Sequence, residues 1–157
     1  MGPDGAVFEK LLTSLPVVTR LAGETVLSAG LKTDLLLILK KGAVAVFKDS
    51  IEIARVEQLG AVLGEVSALL GQPHTAEVRA LEDSQFYVAD AELLEKDPTA
   101  LLYVAKTLAR RLVDADRALV ELTKQLQAGQ SPGVLGKTLE RIQQMLGVGG
   151  GAAGLSH

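Results

Sequence analysis

The chain has 157 residues, a formal net charge of −3, no cysteine, and 48% apolar but only 3% aromatic residues. That length suits one domain with appendages, and its core has to be aliphatic. Lack of cysteine excludes disulfide scaffolding, thiolate zinc sites and cysteine nucleophiles, and the acidic balance excludes a general polyanion binder with a basic face.

Residues 4–15 are predicted to form a short amphipathic helix. Phe8, Leu11, Leu12 and Leu15 recur at helical spacing, with Asp4 as N-cap and Pro16 as the stop. Acids stand among the apolar residues of this opening, so it does not read as a secretory leader. The expectation is a cytoplasmic protein. From Val17 to Asp90 short apolar runs are punctuated by glycine, and many alternate with period two: "ETVLSAG", "LLLIL", "GAVAVFK", "IEIARVEQLG", "AEVRAL" and "SQFYVAD". This texture predicts a compact β-barrel or jelly roll. "KDS", after Phe47, fits a tight hairpin turn. The run "LLLIL" from Leu35 to Leu39 is far shorter than the ~18 residues of a membrane span. One interruption, "GEVSALL" from Gly64 to Leu70, reads as a turn or two of helix.

From Pro98 to Gln127 the period changes. Leu101, Leu108, Ala115 and Leu122 form one seven-spaced series, and Ala105, Leu112, Leu119 and Leu126 a second. Alternating steps of three and four residues mark a coiled-coil seam. At ~1.5 Å per residue the pattern runs for roughly 40 Å, longer than one small barrel needs, which predicts homodimerisation through its distal part. "GQSPG", residues 129–133, reads as a linker, and Ser131 with Pro132 as a helix start. Val134, Leu135, Leu139, Ile142, Met145 and Leu146 then share one side of a short helix, with Lys137, Glu140 and Arg141 opposite. That helix folds back on the barrel or dimer, or docks into a partner protein's groove. A glycine-rich tail closes the sequence. The expected organisation is 1–16 a helical segment, 17–127 the main domain with its long helix, and 128–157 linker, short helix and tail.

No catalytic constellation stands out, so an enzyme is not expected. Of the two histidines, His157 lies in the tail, leaving His74 as the one imidazole in an ordered context. No serine has a base beside it, and no phosphate loop of the Walker type is present. Acidic pairs such as Glu82–Asp83 and Glu95–Asp97 read as solvated turns or helix starts. No metal site and no tightly held cofactor are expected.

With strands, an embedded helical turn and a long terminal helix in that order, the chain resembles the cyclic nucleotide-binding domain family. The family includes the ligand domains of catabolite-activator-type transcription factors, cyclic-nucleotide-dependent kinases and cyclic-nucleotide-gated channels. The resemblance covers about residues 8–126. It rests on "GEVSALLGQPHTAEVRA" and "LARRL" in register with a series of turn glycines, Gly23, Gly30, Gly42, Gly60 and Gly64. It implies a mainly β jelly roll or barrel flanked by a short N-terminal and a long C-terminal helix. The family's phosphate-binding cassette runs Gly-Glu, a short helix, then Pro-Arg-Thr/Ser-Ala. By resemblance Gly64 opens the cassette and Glu65 holds the ribose hydroxyl. The N–H groups around Val66, Ser67 and Ala68, with Thr75 and Ala76, face the cyclic phosphate of cAMP or cGMP.

His74 departs from that pattern, standing where the family carries arginine. Imidazole lacks the planar fork of donors and the permanent charge of guanidinium. Arg79 falls beyond the cassette, on a strand, and is not expected to substitute. The resemblance implies a stand-alone regulatory or sensor module that binds cAMP or cGMP weakly and signals through its C-terminal helix. The alternative is a degenerate member that binds no nucleotide and acts as a protein-interaction or dimerisation scaffold. Only about thirty residues follow Gln127, too few for the winged DNA-binding domain of the transcription-factor branch, so DNA binding in cis is not expected.

Overall fold

The computed structural model describes residues 9–129 and the single positions 137 and 141. Asp4, the linker after Gly129 and the stretch 134–146, those two positions apart, lie outside the described residues. Helix α1 occupies residues 9–13 and stops before Pro16, whose ring cannot continue a helix.

Eight strands follow: β1 Val17–Arg20, β2 Thr25–Leu27, β3 Leu35–Lys41, β4 Val44–Lys48, β5 Ile51–Val56, β6 Val62–Leu63, β7 Glu77–Ala80 and β8 Ser84–Asp90. They form two four-stranded antiparallel sheets, ordered β1-β8-β3-β6 and β2-β7-β4-β5. The core lies where apolar faces meet: Leu37, Leu39, Leu63 and Phe86 from the first sheet, Leu27, Val44 and Val78 from the second. Strand alternation sets that arrangement, as on β7, where Val78 and Ala80 are buried and Arg79 is exposed.

The β4–β5 hairpin turns on Asp49 and Ser50, whose φ values of 52° and 65° are both left-handed. A two-residue turn of this hand matches strand twist, here without the usual glycine. Helix α2, Glu65–Leu70, interrupts the strands between β6 and β7, and α3, Ala91–Lys96, follows β8 directly. Helix α3 was not anticipated from the sequence. Asp90 caps it, accepting the Leu93 N–H at 2.8 Å. Asp97 closes α3 and opens α4, Pro98–Gly129, by accepting the N–H groups of Thr99 at 2.9 Å and Ala100 at 3.2 Å. The pair Glu95–Asp97 is thus a helix junction, with Pro98 at the first helical position, where no N–H is needed.

At the root of α4, the Tyr103 hydroxyl donates to the Gly60 carbonyl at 2.6 Å. Gly60 has φ +90°, and a Cβ there would sit 2.6 Å from the Tyr103 oxygen, so conformation and space both require glycine. The chain divides into two compact units at Thr107/Leu108, within α4. No helix of the described residues is long and apolar enough to cross a membrane.

Candidate functional site

The site expected from the sequence is built on β6, α2 and the segment leading to β7. Strand β6 delivers Gly64 in the left-handed region, φ 83° and ψ 14°, as the N-cap of α2. A Cβ at Gly64 would stand 3.0 Å from the Leu35 carbonyl oxygen and 3.4 Å from His74 Cε1. Glycine is therefore needed on two grounds, and this turn aims the first N–H groups of α2. Glu65 takes the first helical position and is half-buried. At the other end Gly71, again left-handed, donates its N–H to the Ser67 carbonyl at 3.0 Å, ending α2 after six residues.

Beyond α2 the His74 side chain is built into the interior. His74 is 5% exposed, and its Nε2 lies 3.0 Å from the Thr33 hydroxyl. Its backbone is held as well: the His74 N–H donates to Leu31 O at 2.8 Å, and its carbonyl accepts from the Gly30 N–H at 2.9 Å. Ser67 is fully buried, and its hydroxyl accepts the Thr33 N–H at 2.8 Å while donating to the Thr33 carbonyl. Both polar side chains of the cassette interior are thus satisfied by one residue of the β2–β3 loop. Such pairing is what a buried hydroxyl and imidazole require, since leaving either unbonded costs ~1–3 kcal/mol. Thr33 was missed by sequence reasoning. Its partners are 34 and 41 residues away, and no local pattern carries that information.

The remaining cassette residues are more open. Val66 and Ala76 are half-buried and Thr75 is exposed. Arg79 lies on β7, as the sequence placed it, with Nε 2.6 Å from Glu77 Oε2 and its guanidinium over the Phe47 ring at 5.7 Å. A cavity of about 480 Å³ opens beside it, lined by Ala29, Phe47, Asp49, Ser50, Glu77 and Arg79. None of these belongs to the cassette, and two carboxylates against one guanidinium that is already paired disfavour an anion there. Among the described residues no cluster of acidic and histidine side chains suits a metal ion.

The profile of the cyclic nucleotide-binding domain matches residues 17–96, which span both sheets, the cassette and α3. The chain belongs to the cyclic nucleotide-binding domain family. Solved structures carry the same fold. A cyclic nucleotide-binding domain from Methylobacillus flagellatus is 25% identical, with a TM-score of 0.64 over 73% of this chain and 71% of that one. The catabolite activator protein of Thermus thermophilus is 22% identical, with a TM-score of 0.62 over 93% of this chain and 84% of that one. The regulatory domain of Toxoplasma gondii PKA, solved with cAMP, is 17% identical, with a TM-score of 0.53 over 61% of this chain and 40% of that one. No curated protein sequence matches the chain.

The second group of residues expected to function lies along α4. Leu101, Leu112 and Leu122 are 43%, 47% and 41% exposed, Ala105 is exposed, and Leu108, Leu119 and Leu126 are half-buried. Val104 and Ala100, on the neighbouring side of the first turns, are buried instead. Val104 is three residues from Leu101 and four from Leu108, so the side that roots the helix adjoins the seven-spaced stripe.

Proposed function

We propose that this chain is a non-enzymatic regulatory module that takes cAMP or cGMP weakly at its cassette and passes the occupancy on through α4 to a homodimer partner or another protein. The observation that carries the reading is the His74–Thr33 hydrogen bond. It turns the residue at the family's arginine position into part of the fold. The phosphate side of the cassette is then left with neutral donors: the first N–H groups of α2 and the Thr75 hydroxyl. Glu65 remains at the helix start, suited to a ribose hydroxyl. Loss of one charged hydrogen bond to a phosphate weakens binding by roughly 1.5–3 kcal/mol, one to two decades in Kd. Ligand that draws the cassette toward the start of α2 would shift the population of helix positions.

The same hydrogen bond favours a second reading, a member that binds no nucleotide and works as a dimerisation or interaction scaffold. Titration calorimetry of the full chain with cAMP and with cGMP separates the two. Weak saturable heat that disappears in Glu65→Ala and tightens about tenfold or more in His74→Arg is the expected result. Absence of heat and of chemical-shift change up to millimolar nucleotide rejects the sensor and leaves the scaffold. Binding that survives Glu65→Ala rejects the pocket assignment.

A further inference from the structure

The cassette offers an anion no cation of its own. From Gly64 to Ala76 the chain has no lysine or arginine, and Glu65 is the sole acid. His74, 5% exposed, places its Nε2 3.0 Å from the Thr33 hydroxyl, and its backbone is bonded on both sides to Leu31 and Gly30. Arg79 holds Glu77 at 2.6 Å and lies over Phe47 at 5.7 Å. Lys32 reaches α2 from the β2–β3 loop, but at the opposite end from Glu65. Its Nζ lies 3.9 Å from where a Cβ on Gly71 would stand, beside the carbonyl terminus, where a cation suits the helix itself. A phosphate monoanion bound by the cassette therefore exchanges its hydration for hydrogen bonds from neutral groups.

Glu65, half-buried at the first helical position, suits a different ligand better. In a 3′,5′-cyclic nucleotide the 3′ oxygen is closed into the phosphate ring, and the 2′-hydroxyl is the single ribose donor left. A free ribonucleoside keeps neighbouring 2′- and 3′-hydroxyls on one face of the sugar. Those two hydroxyls can donate to the two oxygens of one carboxylate, and such charge-assisted bonds are roughly twice as strong as neutral ones.

On the reading of the cassette as a ligand pocket given above, we propose that its preferred ligand is an uncharged ribonucleoside, held by Glu65 through the 2′,3′-diol. The 5′-hydroxyl then stands where a cyclic nucleotide carries phosphate, and the exposed Thr75 hydroxyl is a suitable partner for it. A hydroxyl is satisfied by neutral donors and acceptors and brings no charge that an arginine would have to answer. The bond from His74 to Thr33 and the retention of Glu65 thus fit one ligand class, since the charge is dispensable and the diol is not.

Calorimetry of the full chain with adenosine, guanosine, cAMP, 5′-AMP and the 2′-deoxy and 3′-deoxy forms of adenosine tests this on the unaltered protein. Adenosine or guanosine is expected to bind about tenfold or more tighter than cAMP, and than 5′-AMP, which keeps the diol but adds charge. Loss of either ribose hydroxyl is expected to weaken adenosine about tenfold. His74→Arg is expected to tighten cAMP and leave adenosine within about twofold, because the added charge has nothing to meet on a nucleoside. Binding of cAMP as tight as that of both nucleosides, or tighter, overturns the nucleoside assignment and leaves the cyclic-nucleotide reading standing. Nucleoside binding that ignores loss of the 3′-hydroxyl, or that survives Glu65→Ala, overturns the diol contact and the proposal with it. Absence of binding by every one of these compounds overturns the nucleoside assignment and the pocket together.

Discussion

At the scale of the residue, His74 is decided by its surroundings more than by its position in a motif. Imidazole packs against the open side of Gly64 and reaches the Thr33 hydroxyl. The side chain at this position is thus bonded into the fold. His74→Ala is accordingly expected to lower stability by ~1–3 kcal/mol, through the emptied seat and the orphaned Thr33 hydroxyl, and to leave nucleotide affinity within about twofold. Denaturant unfolding and calorimetry on the same sample check both halves. A drop in affinity as large as that from Glu65→Ala would mean that the imidazole is a ligand after all. The cassette's location was legible in the sequence, because Gly64 and Gly71 bracket a short helix in a way local chemistry recognises. The destination of its polar side chains was not, because Ser67, His74 and Thr33 meet only through tertiary packing.

At the scale of the element, strands announced themselves by alternation and α4 by its heptads, while α3 went unnoticed. Six residues give fewer than two turns, too short a window for a period to emerge, and α3 is held by its ends more than by its stripe. Asp90 and Asp97 supply those ends, and both look like ordinary loop acids in the linear sequence. Asp97→Ala, which strips two N–H groups at the start of α4 of their acceptor, should cost ~1 kcal/mol and fray the first turn. The β4–β5 turn offers the opposite experiment. Ser50 sits at φ 65°, a conformation that glycine adopts without strain, so Ser50→Gly is expected to stabilise the hairpin by about 0.5–1 kcal/mol. Unchanged midpoints in thermal unfolding of these two variants would refute the cap and the turn assignments respectively.

At the scale of the whole molecule, the apolar core and the apolar stripe differ in exposure. The core between the sheets is closed around Phe86 and its neighbours, whereas Leu112 and Leu122 on α4 remain largely exposed. A charge in the seam should therefore abolish assembly without unfolding the sheets. Leu112→Glu is expected to sediment as a monomer with the β-sheet circular dichroism of wild type, and a dimer of unchanged affinity would reject the seam. The Tyr103–Gly60 hydrogen bond has a further meaning in this setting. The backbone runs from Gly60 through β6 straight into the cassette, and Tyr103 stands in the first turns of α4, so under the proposed function this bond would be a clutch between cassette and helix. While engaged, it would make a displacement of the cassette strand drag the helix root with it. Loss of a single oxygen atom, as in Tyr103→Phe, would leave the aromatic ring to fill the same space and let the sensing half slip past the transmitting half without turning it.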